Sequence, residues 1–193
     1  MNKRFALAAV LLLGLSLLAT GSAVAKDKAN TEFDFHIGDA FLAAATGNPA
    51  NGTGDVARAE NGDRITLQGS GTFDTKNGKA EGQGTFVHKT ATGTLVGSGT
   101  WEAKRLLIFH DAGPSTNLFF PRTLHAGEAI LLVRVVGHLA ADPDSTVKFD
   151  AVLGVDCELP GVGTFEGVTL NVGFINFNTR VSGVTVFVAR ADD

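Results

Sequence analysis

The stretch from Asp63 to Trp101 reads DRITLQGSGTFDTKNGKAEGQGTFVHKTATGTLVGSGTW and contains three copies of the pentad Gly-x-Gly-Thr-aromatic. The copies begin at Gly69, Gly82 and Gly97, at spacings of 13 and 15 residues. Each spacing is the length of one strand and one tight turn, and glycine-containing turn sequences separate the copies. The pattern predicts a three-stranded antiparallel meander over residues 63–109.

Apolar and polar residues alternate along each strand of this meander, as they do where one face of a sheet is buried. The two glycines of every pentad fall on the apolar face, together with the aromatic residue that follows them. Glycine weakens the interior of a strand and marks a sharp bend or a close approach. The glycines either let the sheet coil into a small barrel whose aromatic rings fill the space above them, or leave a cavity for a ligand.

If the glycines leave a cavity, the candidate ligand-binding residues are the second glycine and the aromatic residue of each pentad: Gly71, Phe73, Gly84, Phe86, Gly99 and Trp101. We expect the three glycines to lie side by side on adjacent strands. A ligand in such a cavity is expected to be small and mostly apolar, because the face that lines the cavity is apolar.

Further strands are predicted on both sides of the meander from the same alternation. They cover residues 33–37, 128–138, 147–157, 165–177 and 181–189, and the last two are expected to pair through a turn at Asn178-Thr179-Arg180. A short helix with Asp39 as its N-cap and a surface loop over residues 46–63 are expected between the first strand and the meander. With about eight strands, residues 26–193 are predicted to form one all-β domain. A single antiparallel β-barrel with meander hairpins is the preferred architecture, and a two-sheet β-sandwich is the alternative.

The first 25 residues have the layout of a secretory signal peptide. Lys3 and Arg4 precede the largely apolar run Phe5–Ala19, and the small-residue pattern Ala23-Val24-Ala25 follows. Cleavage is expected after Ala25, which predicts a secreted or periplasmic protein of bacterial type. Because spanning a bilayer takes about 20 apolar residues, we expect no membrane span in the mature chain.

Composition excludes several classes of protein. Hydrophobic residues make up 44% of the 193 residues and charged residues 19%, which excludes general disorder. The formal net charge is −4, and removal of Lys3 and Arg4 with the leader makes it −6. Phosphate backbones repel an anionic protein, so we expect no nucleic-acid partner. Cys157 is the single cysteine, which excludes an intrachain disulfide, and we expect it to be a small buried side chain.

Three residues are candidates for catalysis. Arg134 interrupts an apolar strand, and an inward Arg134 would need Asp150 or Glu166 as its partner. We favour an outward Arg134 whose stem covers apolar surface, whereas an inward one would be an anion anchor or an electrostatic catalyst. Asp34 and His36 share one face of a strand and form a candidate acid–base pair.

No cofactor and no metal are expected. The five histidines are not spaced like a local metal motif. The chain also lacks a nucleophile elbow, a phosphate-binding loop and a dinucleotide fingerprint. The sequence therefore favours a protein that is not an enzyme.

The run Gly69-Ser70-Gly71-Thr72-Phe73-Asp74, followed by Gly78-Lys79-Ala80-Glu81-Gly82-Gln83-Gly84, resembles the glycine-rich hairpins of secreted, calycin-like barrels of the allene oxide cyclase and dirigent type. The likeness covers about residues 63–101, and it implies an eight-stranded antiparallel barrel with a central, largely apolar cavity. The chain contains no Tyr, so a family mechanism that uses tyrosine does not carry over. The resemblance assigns no catalytic residue.

Three functional hypotheses follow from the sequence. The leading one is an exported, non-catalytic β-barrel protein that binds a small apolar ligand on its glycine-lined face. The second is an isomerase or cyclase that works in the same cavity with Arg134 and a carboxylate. The third is a surface or matrix protein that assembles through its apolar strands. The identity of the ligand and the oligomeric state are left open.

Overall fold

The computed structural model describes residues 31–115, 123–159 and 165–190, so the expected leader lies outside the described residues. In chain order the elements are β1 (Glu32–Ile37), α1 (Ala40–Thr46), a 3-10 helix (Pro49–Gly52), β2 (Asp55–Arg58), β3 (Arg64–Asp74), β4 (Lys79–Lys89), β5 (Leu95–Ser115), β6 (Leu124–Leu139), β7 (Asp142–Cys157), β8 (Gly167–Asn171), β9 (Asn176–Phe177), β10 (Thr179–Ser182) and β11 (Thr185–Ala189). Within the described ranges, no helix combines the length and the apolar character that crossing a membrane requires.

All eleven described strands belong to one antiparallel sheet, and this sheet closes into a ring. Around the ring each strand hydrogen-bonds to the next in the order β3, β1, β11, β6, β5, β4 and back to β3. β2 and β10 extend from β3, and β7, β8 and β9 extend from β6. The predicted all-β class is confirmed, and β3, β4 and β5 are the predicted meander. The choice between a barrel and two packed sheets stays a prediction.

The long strands bury the face that their alternation predicts. On β6, Leu131, Val133 and Val135 are almost fully buried, whereas Arg134 among them is exposed. Burying a Val or Leu side chain stabilises the fold by roughly 1.5–3 kcal/mol, so this alternation dictates which face turns inward. Cys157 at the end of β7 is buried, as predicted.

The last part of the chain departs from the prediction. The prediction of a hairpin between residues 165–177 and 181–189 is wrong. β8 pairs with β7 and β9, β10 pairs with β2, and β11 joins β1 to β6. The physical reason lies in two glycines, Gly173 with φ +86 and Gly183 with φ +146, which turn the chain through conformations that other residues rarely adopt. They divide the two predicted strands into four short ones.

Residues 46–63 also contain more structure than the predicted loop. The 3-10 helix and β2 lie within them, and β2 pairs with β3 through Asp55 opposite Leu67. A strand of four residues is too short for alternation to reveal it, which is one reason why the sheet has eleven strands and not about eight. The N-cap of α1 is confirmed, because the amide of Leu42 donates to Oδ1 of Asp39 at 3.1 Å.

Candidate functional site

The pentad glycines share the inward face of the ring, but the prediction that they lie side by side is wrong. Gly84 lies opposite Gly69 in β3 and opposite Trp101 in β5, so neither Gly71 nor Gly99 is directly across from it. The tight turn between β3 and β4 sets this register, in which Gly69 lies opposite Gly84 and Gly71 lies opposite Gly82. Each pentad glycine except Gly97, which lies opposite His88 and Leu139, has another glycine or an aromatic residue opposite it.

An aromatic ring from another strand covers each pair of glycines. A Cβ atom added to Gly84 would lie 2.6 Å from Nε1 of Trp101, and one added to Gly69 would lie 2.5 Å from Cζ2 of the same ring. Two further rings do the same: Phe35 covers Gly71 and Gly82, and Phe86 covers Gly99 and Gly137. Glycine is required at these positions because the rings, together with main-chain oxygens of the neighbouring strands, occupy the space that a side chain would need.

More rings pack between these sets. The centroid of the Phe73 ring lies 5.4 Å from that of Phe33 and 4.8 Å from that of Phe109. Trp101 is 1% exposed, and its Nε1 has no hydrogen-bond partner among the described residues. The packing of the six candidate ligand-binding residues supports the structural explanation of the pentads, in which aromatic side chains fill the inside of a coiled sheet.

Arg134 lies on the outer face of β6, in agreement with the placement that the sequence favours. Its side chain is 45% exposed, and its Nε donates to Oδ1 of Asp150, the residue opposite it on β7, at 2.5 Å. An exposed ion pair of this kind contributes little to stability. A reaction inside the ring would have to proceed without this guanidinium, so the isomerase hypothesis loses the cation on which it depends.

Asp34 and His36 lie on the outer face of β1, but they do not form the expected acid–base pair. Nδ1 of His36 lies 2.7 Å from Oδ2 of Asp39, and its ring stacks on Phe41 at a centroid distance of 4.0 Å. Asp34 lies 3.5 Å from Nε of Arg190. His36 therefore packs on α1, because the N-cap of that helix offers a carboxylate three residues further along the chain.

A cleft of about 430 Å³ opens on the outer face, where β5, β6 and β7 run side by side. His110, Glu128 and Asp156 form one row across these strands, because His110 lies opposite Glu128 and Glu128 lies opposite Asp156. Side chains directly opposite each other in an antiparallel sheet have Cβ atoms about 5 Å apart. The row places an imidazole and two carboxyl groups in this space, which we call the outer cleft.

Arg180 and Phe165 also line the outer cleft. Both Nε and Nη2 of Arg180 donate to Oδ2 of Asp156, with Nε at 2.9 Å. The guanidinium carbon of Arg180 lies 5.3 Å from the centroid of the Phe165 ring, which is within the range of a cation–π contact. Phe165 is 60% exposed. This side of the cleft thus combines a neutralised ion pair with an open aromatic surface.

The ionisable groups of the outer cleft differ in their burial, in their pKa and in whether another residue bonds to them. Burial raises the pKa of Asp156, although the bonds from Arg180 act in the opposite direction. Burial also raises the pKa of the Cys157 thiol to about 12, so this sulfur is not a nucleophilic thiolate at neutral pH. Glu128 is half-buried and makes no hydrogen bond or ion pair with another described residue, which leaves its carboxylate open to a ligand.

Two carboxyl groups, that of the buried Asp55 and that of the half-buried Glu166, hold the segment that connects β10 and β11. Asp55 is fully buried; its Oδ1 accepts from the amide of Val184 at 2.9 Å, and its Oδ2 has no partner among the described residues. Burial raises the pKa of Asp55 to about 8. Glu166 accepts from the amide and hydroxyl of Thr185 and from the amide of Glu158, and burial raises its pKa as well. These groups anchor backbone amides.

Within residues 31–115, 123–159 and 165–190, no three His, Cys, Asp or Glu side chains converge as metal ligands do. Comparison of the chain with protein-family models, with curated proteins and with solved structures finds no match. The geometry of the outer cleft is therefore the basis for assigning a function.

Sequence reasoning misses Glu128, Asp156 and Arg180. The available signal is Asp156, an acidic residue inside the apolar end of β7, because a buried carboxyl group needs a partner. The partner itself has no such signal, since Arg180 stands in the segment that is predicted as a turn, and β10 pairs with β2 and not with the strand that carries Asp156.

Proposed function

We propose that the protein is an exported, non-catalytic binding protein that holds a small ligand in the outer cleft. The observation that supports this best is the joint presence in one cleft of an open aromatic ring, Phe165, and a carboxylate, Glu128, that bonds to no other described residue. Small-molecule sites are typically concave spaces of a few hundred Å³ that combine apolar walls with a few polar groups.

The charges of the outer cleft indicate the chemistry of the ligand. Arg180 neutralises Asp156, so Glu128 supplies the remaining negative charge. A ligand with an aromatic or apolar body and one positive charge fits this arrangement, with its body on Phe165 and its ammonium group at Glu128. The proposed ligand has the apolar body that the sequence predicts, but it also carries a cationic group. It binds on the outer face of the ring and not inside it.

Calorimetric titration with phenethylamine tests this proposal, with 2-phenylethanol and 3-phenylpropionate as neutral and anionic probes of similar size. We expect the amine to bind most tightly and the anion most weakly. Glu128→Gln is expected to weaken binding of the amine by about tenfold or more, since a hydrogen bond to a charged group contributes about 1.5–3 kcal/mol. Phe165→Leu is expected to weaken all probes that bind, because they share the aromatic ring.

Glu81→Gln is the matched control, because Glu81 is an exposed carboxylate on β4 that does not line the outer cleft. This variant should bind phenethylamine as the wild type does. Two results contradict the proposal: equal affinity for the amine and the anion, or unchanged affinity in both Glu128→Gln and Phe165→Leu.

A second candidate function, assembly through a sheet face, is favoured by apolar residues on the outer face of β5, β6 and β7. Ile108 is 60% exposed, and Leu107 and Val152 are also exposed. Ile130 lies opposite Ile108, and Leu132 lies opposite Val152. A bulge between Leu106 and Ile108 adds the extra residue that widens this patch. Contiguous exposed apolar residues mark interaction surfaces.

Sedimentation velocity of the mature protein separates the two candidates. If the patch mediates assembly, the wild type sediments as a dimer or larger species, and Ile108→Lys converts it into a monomer with an unchanged circular dichroism spectrum. Leu95→Lys replaces an exposed residue at the far end of β5 and should leave the assembly intact. A wild-type protein that is a monomer at every concentration would rule out assembly and leave the binding proposal in place.

A further inference from the structure

We propose a second binding site, for a short neutral oligosaccharide, in a groove between two turns. The groove has a volume of about 680 Å³ and lies between the segment Arg58–Asn61, at the end of β2, and the segment Gly173–Thr179. We call it the amide groove. It shares no lining residue with the outer cleft, so the proposal stands independently of the one above.

Two side-chain amides line the amide groove from one short segment, in which Asn176 belongs to β9 and Asn178 directly follows it. Asn176 and Asn178 flank Phe177, whose side chain is almost fully buried, and both asparagine side chains lie on the solvent side of the segment. Both are exposed, and neither bonds to another described residue. A carboxamide offers two donors and an acceptor side by side, which matches the paired hydroxyl groups of a sugar, since each hydroxyl is also both a donor and an acceptor.

Phe177, which stands between the two asparagines, packs on side chains outside the groove. The ring of Phe177 lies edge-on to His88 at a centroid distance of 5.1 Å, and Nε2 of His88 lies 3.1 Å from Oδ2 of Asp63. The backbone amide of Asp63 donates to Oδ1 of Asn61, which fixes the turn on the opposite side. A groove that is ordered before the ligand arrives loses less entropy on binding, and this favours weak polar ligands such as sugars.

An exposed aromatic ring completes the groove. Phe174 is 78% exposed, and Phe149 supports it at a centroid distance of 5.8 Å in an edge-on contact. The amide of Gly173 donates to Oδ1 of Asn171 at 2.9 Å, so the turn that carries Phe174 is also fixed. The face of an aromatic ring is electronegative, and it attracts the weakly positive C–H groups on the apolar face of a sugar ring.

The charges of the groove favour a neutral ligand. Arg58 and Glu60 both line it, and their charges offset each other. The chain as a whole carries a net charge of −4, which disfavours nucleic acids and acidic polysaccharides. Amides, a supported aromatic ring and a neutral balance of charge together describe a site for a neutral oligosaccharide better than one for a peptide, whose apolar side chains would need buried pockets.

The test is a nuclear magnetic resonance titration of the nitrogen-15-labelled protein with cellotetraose, chitotetraose and maltotetraose. We expect at least one tetrasaccharide to shift the side-chain amide signals of Asn176 and Asn178. Phe174→Ala is expected to weaken that binding at least tenfold, and Asn178→Asp, which removes two donors, is expected to weaken it as well. Phe41→Ala is the matched control, because Phe41 is an exposed aromatic residue on α1 outside the groove, and it should bind as the wild type does.

Three results would overturn the proposal. The first is that none of the three tetrasaccharides shifts the Asn176 and Asn178 signals at about 10 mM, which is tenfold above a millimolar dissociation constant. The second is that Phe174→Ala, folded as judged by its backbone amide spectrum, binds as tightly as the wild type. The third is that a neutral tetrapeptide shifts these signals whereas the tetrasaccharides do not.

Discussion

We expect Gly84→Val to lower the free energy of unfolding by about 3 kcal/mol or more, at the upper end of what overpacking a core costs. The first added carbon would lie 1.9 Å from the backbone oxygen of Gln68 and 2.6 Å from the Trp101 ring. The backbone of Gly84 lies outside the left-handed region, so the expected loss comes from contact and not from backbone strain. Neither obstacle yields easily, since one is main chain and the other is a fully buried ring.

Urea denaturation of the two proteins measures this effect. Thr85→Val is the matched control, because Thr85 is the next residue of β4 and its side chain is exposed on the outer face. We expect the control to keep the stability of the wild type within about 0.5 kcal/mol, as is usual for surface substitutions. Equal stability of Gly84→Val and the wild type would show that Trp101 does not fill the space above the glycines.

The stability of the wild-type protein is expected to fall as the pH rises from about 4 to 8, and Asp55→Asn is expected to remove most of this fall. Burial raises the pKa of Asp55 from 3.8 to about 8 in the folded chain. Between these two values the folded chain holds a proton that the unfolded chain releases, so a rise in pH favours unfolding. Because each pKa unit corresponds to about 1.4 kcal/mol, the expected loss is on the order of 3–5 kcal/mol.

The folded and unfolded pKa values of Asp55 set the limits of the effect. Below about pH 4 both states carry the proton, and above about pH 8 neither does, so stability changes little through Asp55 outside this window. Glu166 and Asp156 also have a pKa raised by burial, and they add to the loss of stability in the same direction. Asn at position 55 keeps the acceptor for the amide of Val184 but cannot ionise.

The measurement is the free energy of unfolding at about pH 5 and about pH 9. This range includes most of the pH window in which Asp55 is expected to lower the stability. Asp144→Asn, at an exposed position on β7, is the control and should lose as much stability as the wild type does. If Asp55→Asn loses as much stability as the wild type over this range, Asp55 does not hold a proton in the folded protein.

The parts of the fold that the sequence predicts are those in which burial repeats over many residues. β3, β4 and the long strands β5 to β7 have eleven residues or more, and where they alternate, in β5 as far as its first bulge after Ala103, their inward faces are the ones that the alternation indicates. The strands after Gly167 have two to five residues each, too few for a period to be read. Their pairing depends on which distant strand offers a free edge, and no local pattern records that.

For the pentads, too, one property can be predicted from the sequence and another cannot. Their placement on the inward face follows from alternation and agrees with the structure. Their register does not, because it depends on the turn between β3 and β4, which brings Gly69 and not Gly71 opposite Gly84. The outer cleft is harder still to predict, since its ion pair joins Asp156 to Arg180 across two strands that the sequence does not bring together.

The most direct test of the binding proposal is to locate phenethylamine on the protein by nuclear magnetic resonance. The chain has a single tryptophan, so the indole signal of Trp101 reports on the inside of the ring without ambiguity. We expect the ligand to shift the backbone amide signals of Glu128 and Asp156 and to leave the Trp101 indole signal in place. A shifted Trp101 signal with unmoved Glu128 and Asp156 signals would contradict the proposal and place the ligand among the pentad glycines.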